Sequence, residues 1–146
     1  MAQHTYSRVE LAVEQLDMAL SLFLDKQSYA SALTLAGAAE EILGMAVGFN
    51  SEQASLQSKF QGVERVHATI HKVPLTWAAF AKAENFTRNA VKHIKTIDED
   101  NISIDLEMAA AWMIVRACEN FDRLSTSRSA KMTEFDDWFY THMVGV

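Results

Sequence analysis

The sequence predicts an all-α domain, an up-and-down antiparallel bundle of five to six helices. Three observations carry that prediction. The 146 residues include one proline, Pro74, and five glycines, so little interrupts helix formation. Strand signals are few, while the good helix formers Ala, Leu, Glu and Met are abundant. Apolar residues recur at three- and four-residue spacing, and short polar segments separate the periodic stretches.

The first helix spans roughly Tyr6 to Leu24, where Val9, Ala12, Val13, Leu16, Leu20 and Phe23 form one stripe. "DKQS" breaks it, and a second helix runs from about Ser28 to Val47. "GFNSEQ" makes the next turn, with Asn50 or Ser51 as cap. The third helix carries Leu56, Phe60, Val63, His67 and Ile70 and ends before Pro74. Thr76 caps a fourth helix that reaches about Ile97, with Ala79, Ala83, Phe86, Ala90, Ile94 and Ile97 as its buried stripe. After the acidic loop "DEDN", Ser103 or Asn101 opens a fifth helix to about Leu124, whose core face is Met108, Ala111, Trp112, Val115 and Cys118. "STSRSAK" is a polar linker, and Thr133 with Asp136 starts a last short helix ending near Tyr140. Its aromatic tail, "FDDWFYTHMV", must bury itself on its own bundle or on another chain. Residues 1–146 thus read as a single helical domain, closed by a polar linker and short aromatic helix over residues 124–146.

Composition narrows the function classes. Nineteen acidic residues against thirteen basic give a net charge of -6, which argues against broad adhesion to nucleic acid and confines any phosphate-binding patch to a local cluster. A single cysteine, Cys118, excludes an internal disulfide framework and fits a reducing compartment. No apolar run approaches the roughly 18–20 residues that cross a bilayer, and "MAQHTYSRVE" lacks the layout of a signal peptide. The expected location is the cytoplasm, with no membrane partner.

Two stretches stand out. In "LTLAGAAEEILGMAVG", Gly37 and Gly44 lie inside a helix, at about 1 kcal/mol each relative to alanine. Ala30, Leu33, Gly37, Glu41, Gly44 and Gly48 make a small-residue face for close helix approach, and Tyr29, Ala32, Ala36, Leu43 and Val47 make the core face. Glu40, at the boundary, wants a cation; Arg88 is one that suits. The second stretch is "NFTRNAVKHIK", the densest basic cluster. Asn89 and His93 are four residues apart and share a helix face, whereas Arg88 points about 140° away from His93 on an ideal helix.

"RNAVKH", Arg88 to His93, resembles the Arg-x(4–6)-His signature of HEPN domains, including the asparagine that commonly follows the arginine. The all-helical single-domain plan and a glutamate on an earlier helix are also similar to that family. The resemblance implies a metal-independent endoribonuclease that works as a homodimer, with its motif at a shared cleft and RNA as substrate. It implies a role as a toxin, with an antitoxin or other protein partner, or in antiviral defence. Its site residues would be Arg88, Asn89, His93 and Glu40, and no metal or other cofactor is called for. The chemistry suits these groups. A histidine titrates in the range needed to move protons, and a guanidinium fork matches the oxygens of a charged phosphate. Lys95 stands where family members paired with a nucleotidyltransferase antitoxin often carry a tyrosine. "RVHATIH", Arg65 to His71, fits the same loose spacing without the asparagine. The alternative reading is a non-catalytic helical homodimer that binds a protein or small ligand, with the same residues as a polar helix edge.

Other chemistry is weakly supported. Glu64, His67 and His71 share a helix face at metal-binding spacing, but a di-iron bundle would need a second Glu-x-x-His pair. "DEDNIS" lacks the glycine and closing glutamate of a calcium loop.

Overall fold

A computed structural model of the chain describes residues 1–50, 52–94, 100–125 and 127–145, and every regular element among them is helical. They are α1 (Arg8–Leu24), α2 (Tyr29–Phe49), α3 (Ser55–His71), α4 (Trp77–Glu84), α5 (Phe86–Ala90), α6 (Leu106–Leu124) and α7 (Ala130–Phe139), which runs into a π-helical turn, Tyr140–Val144. The expected helical bundle is present, with seven α-helices among the described residues where five to six were read.

Helix α2 is the axis of the bundle. Both α1 and α6 pack along it, and α7 closes the end of α1. Its apolar surface on several sides is what a helix covered by two neighbours requires. By length and composition α2 passes for a membrane-crossing helix, with a mean hydropathy of 1.4 over its best window, a run that inspection of the sequence missed. Here that surface faces α1 and α6, burying Ala32, Leu33, Ala36, Ala39, Leu43 and Val47. Leu16 and Leu20 of α1 and Ala110, Ile114 and Ala117 of α6 complete the centre.

Caps set several boundaries. Ser7 accepts from Glu10 N, Thr76 from Ala79 N and Asp105 from Met108 N. Asp105 therefore opens α6, not Ser103 or Asn101. Likewise Ser129, accepting from Met132 N at 3.2 Å, starts α7 four residues before Thr133. The aromatic tail folds onto its own bundle. Phe23 meets Phe135 and Trp138 edge-on, with ring centroids 5.5 and 4.6 Å apart.

The fourth predicted helix is two. It breaks at Asn85, which closes α4 and opens α5 with φ -100° and ψ 3°. The stripe expected to be buried is at the surface: Ala79, Ala83, Phe86 and Ile94 are exposed and Ala90 is half-buried, while Ile97 lies outside the described residues. The inward line is Phe80, Glu84, Thr87, Arg88 and Val91, about one residue out of phase. Two charged residues on that line hid it from a hydrophobicity reading.

Candidate functional site

Arg88 is the residue that ties the arm α3–α5 to α2. A Cβ built on Gly37 would lie 2.5 Å from Arg88 Cδ, so the absent side chain makes the space through which the arginine stem passes. Its Nη1 then stands 3.9 Å from Glu40 Oε2 and 3.8 Å from Glu41 Oε2. These are charge-pairing distances, longer than hydrogen bonds. The Arg88 Nε is buried with no hydrogen-bond partner among the described residues. Gly37 and Gly44 therefore accommodate side chains, because Asn120 Nδ2 occupies the space over Gly44 at 3.2 Å from its notional Cβ. The close helix–helix approach read from the glycines is replaced by this side-chain packing.

Glu40 has a stronger partner than the one expected. Arg116 of α6, with only 7% of its surface exposed, donates from Nη2 to Glu40 Oε1 at 2.9 Å. Its Nη1 donates to Asn85 Oδ1 at 3.1 Å, so one buried guanidinium grips both the carboxylate and the break between α4 and α5. One turn further on, fully buried Asn120 accepts from Ser55 N at 2.7 Å and donates to the Glu40 carbonyl at 3.3 Å. Ser55 Oγ also donates to Glu119. The result is a polar knot: two guanidinium groups share Glu40, one near each oxygen, and Asn120 fastens the start of α3. The sequence reading missed Arg116, Asn120, Asn85 and Ser55. A signal was present in "WMIVRACENF", where an arginine and an asparagine interrupt an apolar run at i and i+4.

The knot forms one wall of a cleft of about 380 Å³ bounded by α3, α4–α5 and α6. Arg88, Arg116, Arg123 and Lys59 line it, together with Glu84, Glu119 and Trp112. Lys59 pairs with Glu84 at 2.7 Å. Trp112 and Met108, read as core, are about half exposed on this side of α6, whereas Ala111 and Cys118 are buried as expected. Burial pushes the Cys118 thiol up to about 12, which makes it inert as a nucleophile at neutral pH.

Asn89 and His93 are exposed. His93 lines a separate, more open depression of about 270 Å³ with Ala90, Val91, Lys92, Ile94, Asp100 and Ile102. Within the chain the structure brings Arg88 to Glu40 and leaves His93 in that other depression. Lys95 lies outside the described residues. Arg65 and His71 of the second spacing match are exposed on α3. The Glu64, His67 and His71 face forms no metal site, since no group of three or more ligating side chains is assembled among the described residues. His67 instead places Nδ1 3.2 Å from the Val73 carbonyl and packs beside His71.

No protein family, curated protein or solved structure matches this chain.

Proposed function

We propose that this chain is a HEPN-like, metal-independent endoribonuclease that acts as a cytoplasmic homodimer, in toxin or defence service, with Arg88, Asn89, His93 and Glu40 as its site. The observation that carries the reading is the seat of Arg88. Gly37 and Glu40 hold its guanidinium in the wall of a cleft, and Nη1 meets Glu40 and Glu41 at charge-pairing distance, with no hydrogen bond to it among the described residues. A charge restrained in that way suits an oxyanion guest.

In the proposed reaction His93 takes the proton from a ribose 2′-hydroxyl. The 2′-oxygen bonds to phosphorus, the P–O5′ bond breaks, and a protonated group returns a proton to O5′, leaving a cyclic phosphate and a free 5′-hydroxyl. Arg88 stabilises the charge on the phosphoryl oxygens, Asn89 orients the phosphate or the imidazole, and Glu40 positions Arg88. A second copy supplies the convergence of histidine and arginine. Support for pairing comes from the exposed stripe beside the motif, where Phe86 and Ile94 are each 61% exposed next to Asn89 and His93.

One observation favours a second reading, the non-catalytic helical homodimer that binds a protein such as an antitoxin or a small ligand. Arg88 and His93 line different hollows of the same protomer. Incubating the purified protein with RNA in EDTA, beside His93→Ala and Arg88→Ala, separates the two. Cleavage by the wild type that falls at least about a hundredfold in both variants is expected, as for loss of a general acid–base group. Equal cleavage by all three, or none by the wild type, selects the second reading.

A further inference from the structure

We propose that Trp112 is a stacking platform for an unpaired nucleobase in the cleft that Arg88 and Arg123 border; this rests on the reading of the cleft as a nucleic-acid site. Half of the Trp112 surface is exposed, although its helix phase marks it for the core. It is the one aromatic residue among those described as lining the cleft. Phe139 braces it edge-to-face, with centroids 5.1 Å apart and planes at 82°. A contact at that angle engages an edge or a single face of the indole, and half of the residue's surface remains exposed.

Charge favours a nucleotide over an apolar guest. Four cations line the cleft; Lys59 is engaged by Glu84, and Arg88 and Arg116 by Glu40 and Glu41 behind the lining, so the cation left over is Arg123. Among the described residues, no carboxylate pairs with Arg123, whose only hydrogen bond is a long one of 3.5 Å to Asn120 Oδ1. Trp112, Arg116, Glu119 and Arg123 follow one another at spacings of four, three and four on α6. They therefore share one face, with Trp112 and Arg123 about 16 Å apart along the axis. A ring plane at one end and an unpaired guanidinium at the other is the pairing that single strands use, bases on aromatics and phosphates along a cationic track. A duplex keeps its bases stacked on one another and cannot offer a face to Trp112.

The test uses a fluorescein-labelled 2′-O-methyl oligoribonucleotide, which has no 2′-hydroxyl to attack and so reports binding whatever the catalytic outcome. Anisotropy in EDTA is expected to show binding that Trp112→Ala weakens by about five- to a hundredfold and that Trp112→Phe largely preserves. A duplex of the same sequence is expected to bind the wild type no better than the single strand binds Trp112→Ala. Inorganic polyphosphate, which has charge and no rings, is expected to bind the wild type and Trp112→Ala alike. Circular dichroism checks that both variants are folded. Equal single-strand affinity for wild type and Trp112→Ala, no binding by the wild type, or an equal loss of polyphosphate affinity overturns the proposal. If RNA is not cleaved but the probe still depends on Trp112, the platform stands and the nuclease falls. If RNA is cleaved and Trp112 makes no difference, only the platform falls.

Discussion

Helices α1, α2 and α6 interlock through fully buried apolar side chains, whereas the arm α3–α5 buries little more than Ser55, Leu56 and Phe80. The two regions are held in different ways. In the core, contact area does the work, and it is non-directional. The arm is fixed by directed polar bonds: Ser55 to Asn120 and Glu119, Asn85 to Arg116, and Arg88 over Gly37 beside Glu40. The candidate site lies where the two meet, which allows its geometry to be set with little apolar packing around it.

The largest effect expected from this contrast is at the knot. Glu40→Ala leaves Arg116 buried without its carboxylate, and urea unfolding is expected to show a loss of about 3–5 kcal/mol. In the apolar core, Leu20→Ala is expected to cost about 2–5 kcal/mol by the same measurement. Ile70→Ala, at an exposed arm position, is expected to stay within about 0.5 kcal/mol. A large loss at Ile70 would show that the arm is packed more like the core than its exposure indicates.

That contrast also explains what was legible in the sequence. The core helices were readable because Leu16, Leu20, Leu43 and Val47 repeat at helical spacing and burial follows area. The arm misled because its inward line contains Glu84 and Arg88, so the apolar stripe through Phe86 and Ile94 marked the outward face. Glu40 was recognised as wanting a cation, yet Arg116, its shorter contact, lies 76 residues away, a pairing that local periodicity cannot reveal. Trp112 was assigned to the core by the same periodicity, which does not register that the neighbouring arm leaves a cleft there.

Two glycines sharpen the comparison at smaller magnitude. Gly37→Ala forces the Arg88 stem to move, an overpacking cost of about 1–3 kcal/mol against a gain of about 1 kcal/mol in helix propensity. RNA cleavage is expected to fall at least tenfold in this variant while the protein stays folded, since one displaced guanidinium is enough to misplace the charge. Gly62, in the middle of α3, has nothing within 4 Å of a notional Cβ. Gly62→Ala is therefore expected to raise stability by about 0.5–1 kcal/mol and leave cleavage unchanged. Calorimetric melting and the cleavage assay together read both outcomes, and a destabilising Gly62→Ala would point to a partner surface on α3.

Native-state hydrogen exchange on the wild type and on Arg116→Met tests the polar attachment of the arm most directly. In the wild type, amides of α3, α4 and α5 are expected to exchange through a local opening of lower free energy than those of α1, α2 and α6. Arg116→Met is expected to speed exchange in α4 and α5 at least about tenfold beyond its effect on α1, as the loss of charge-assisted hydrogen bonds implies. Uniform protection across both regions, or an arm that Arg116→Met leaves unchanged relative to α1, would contradict the account.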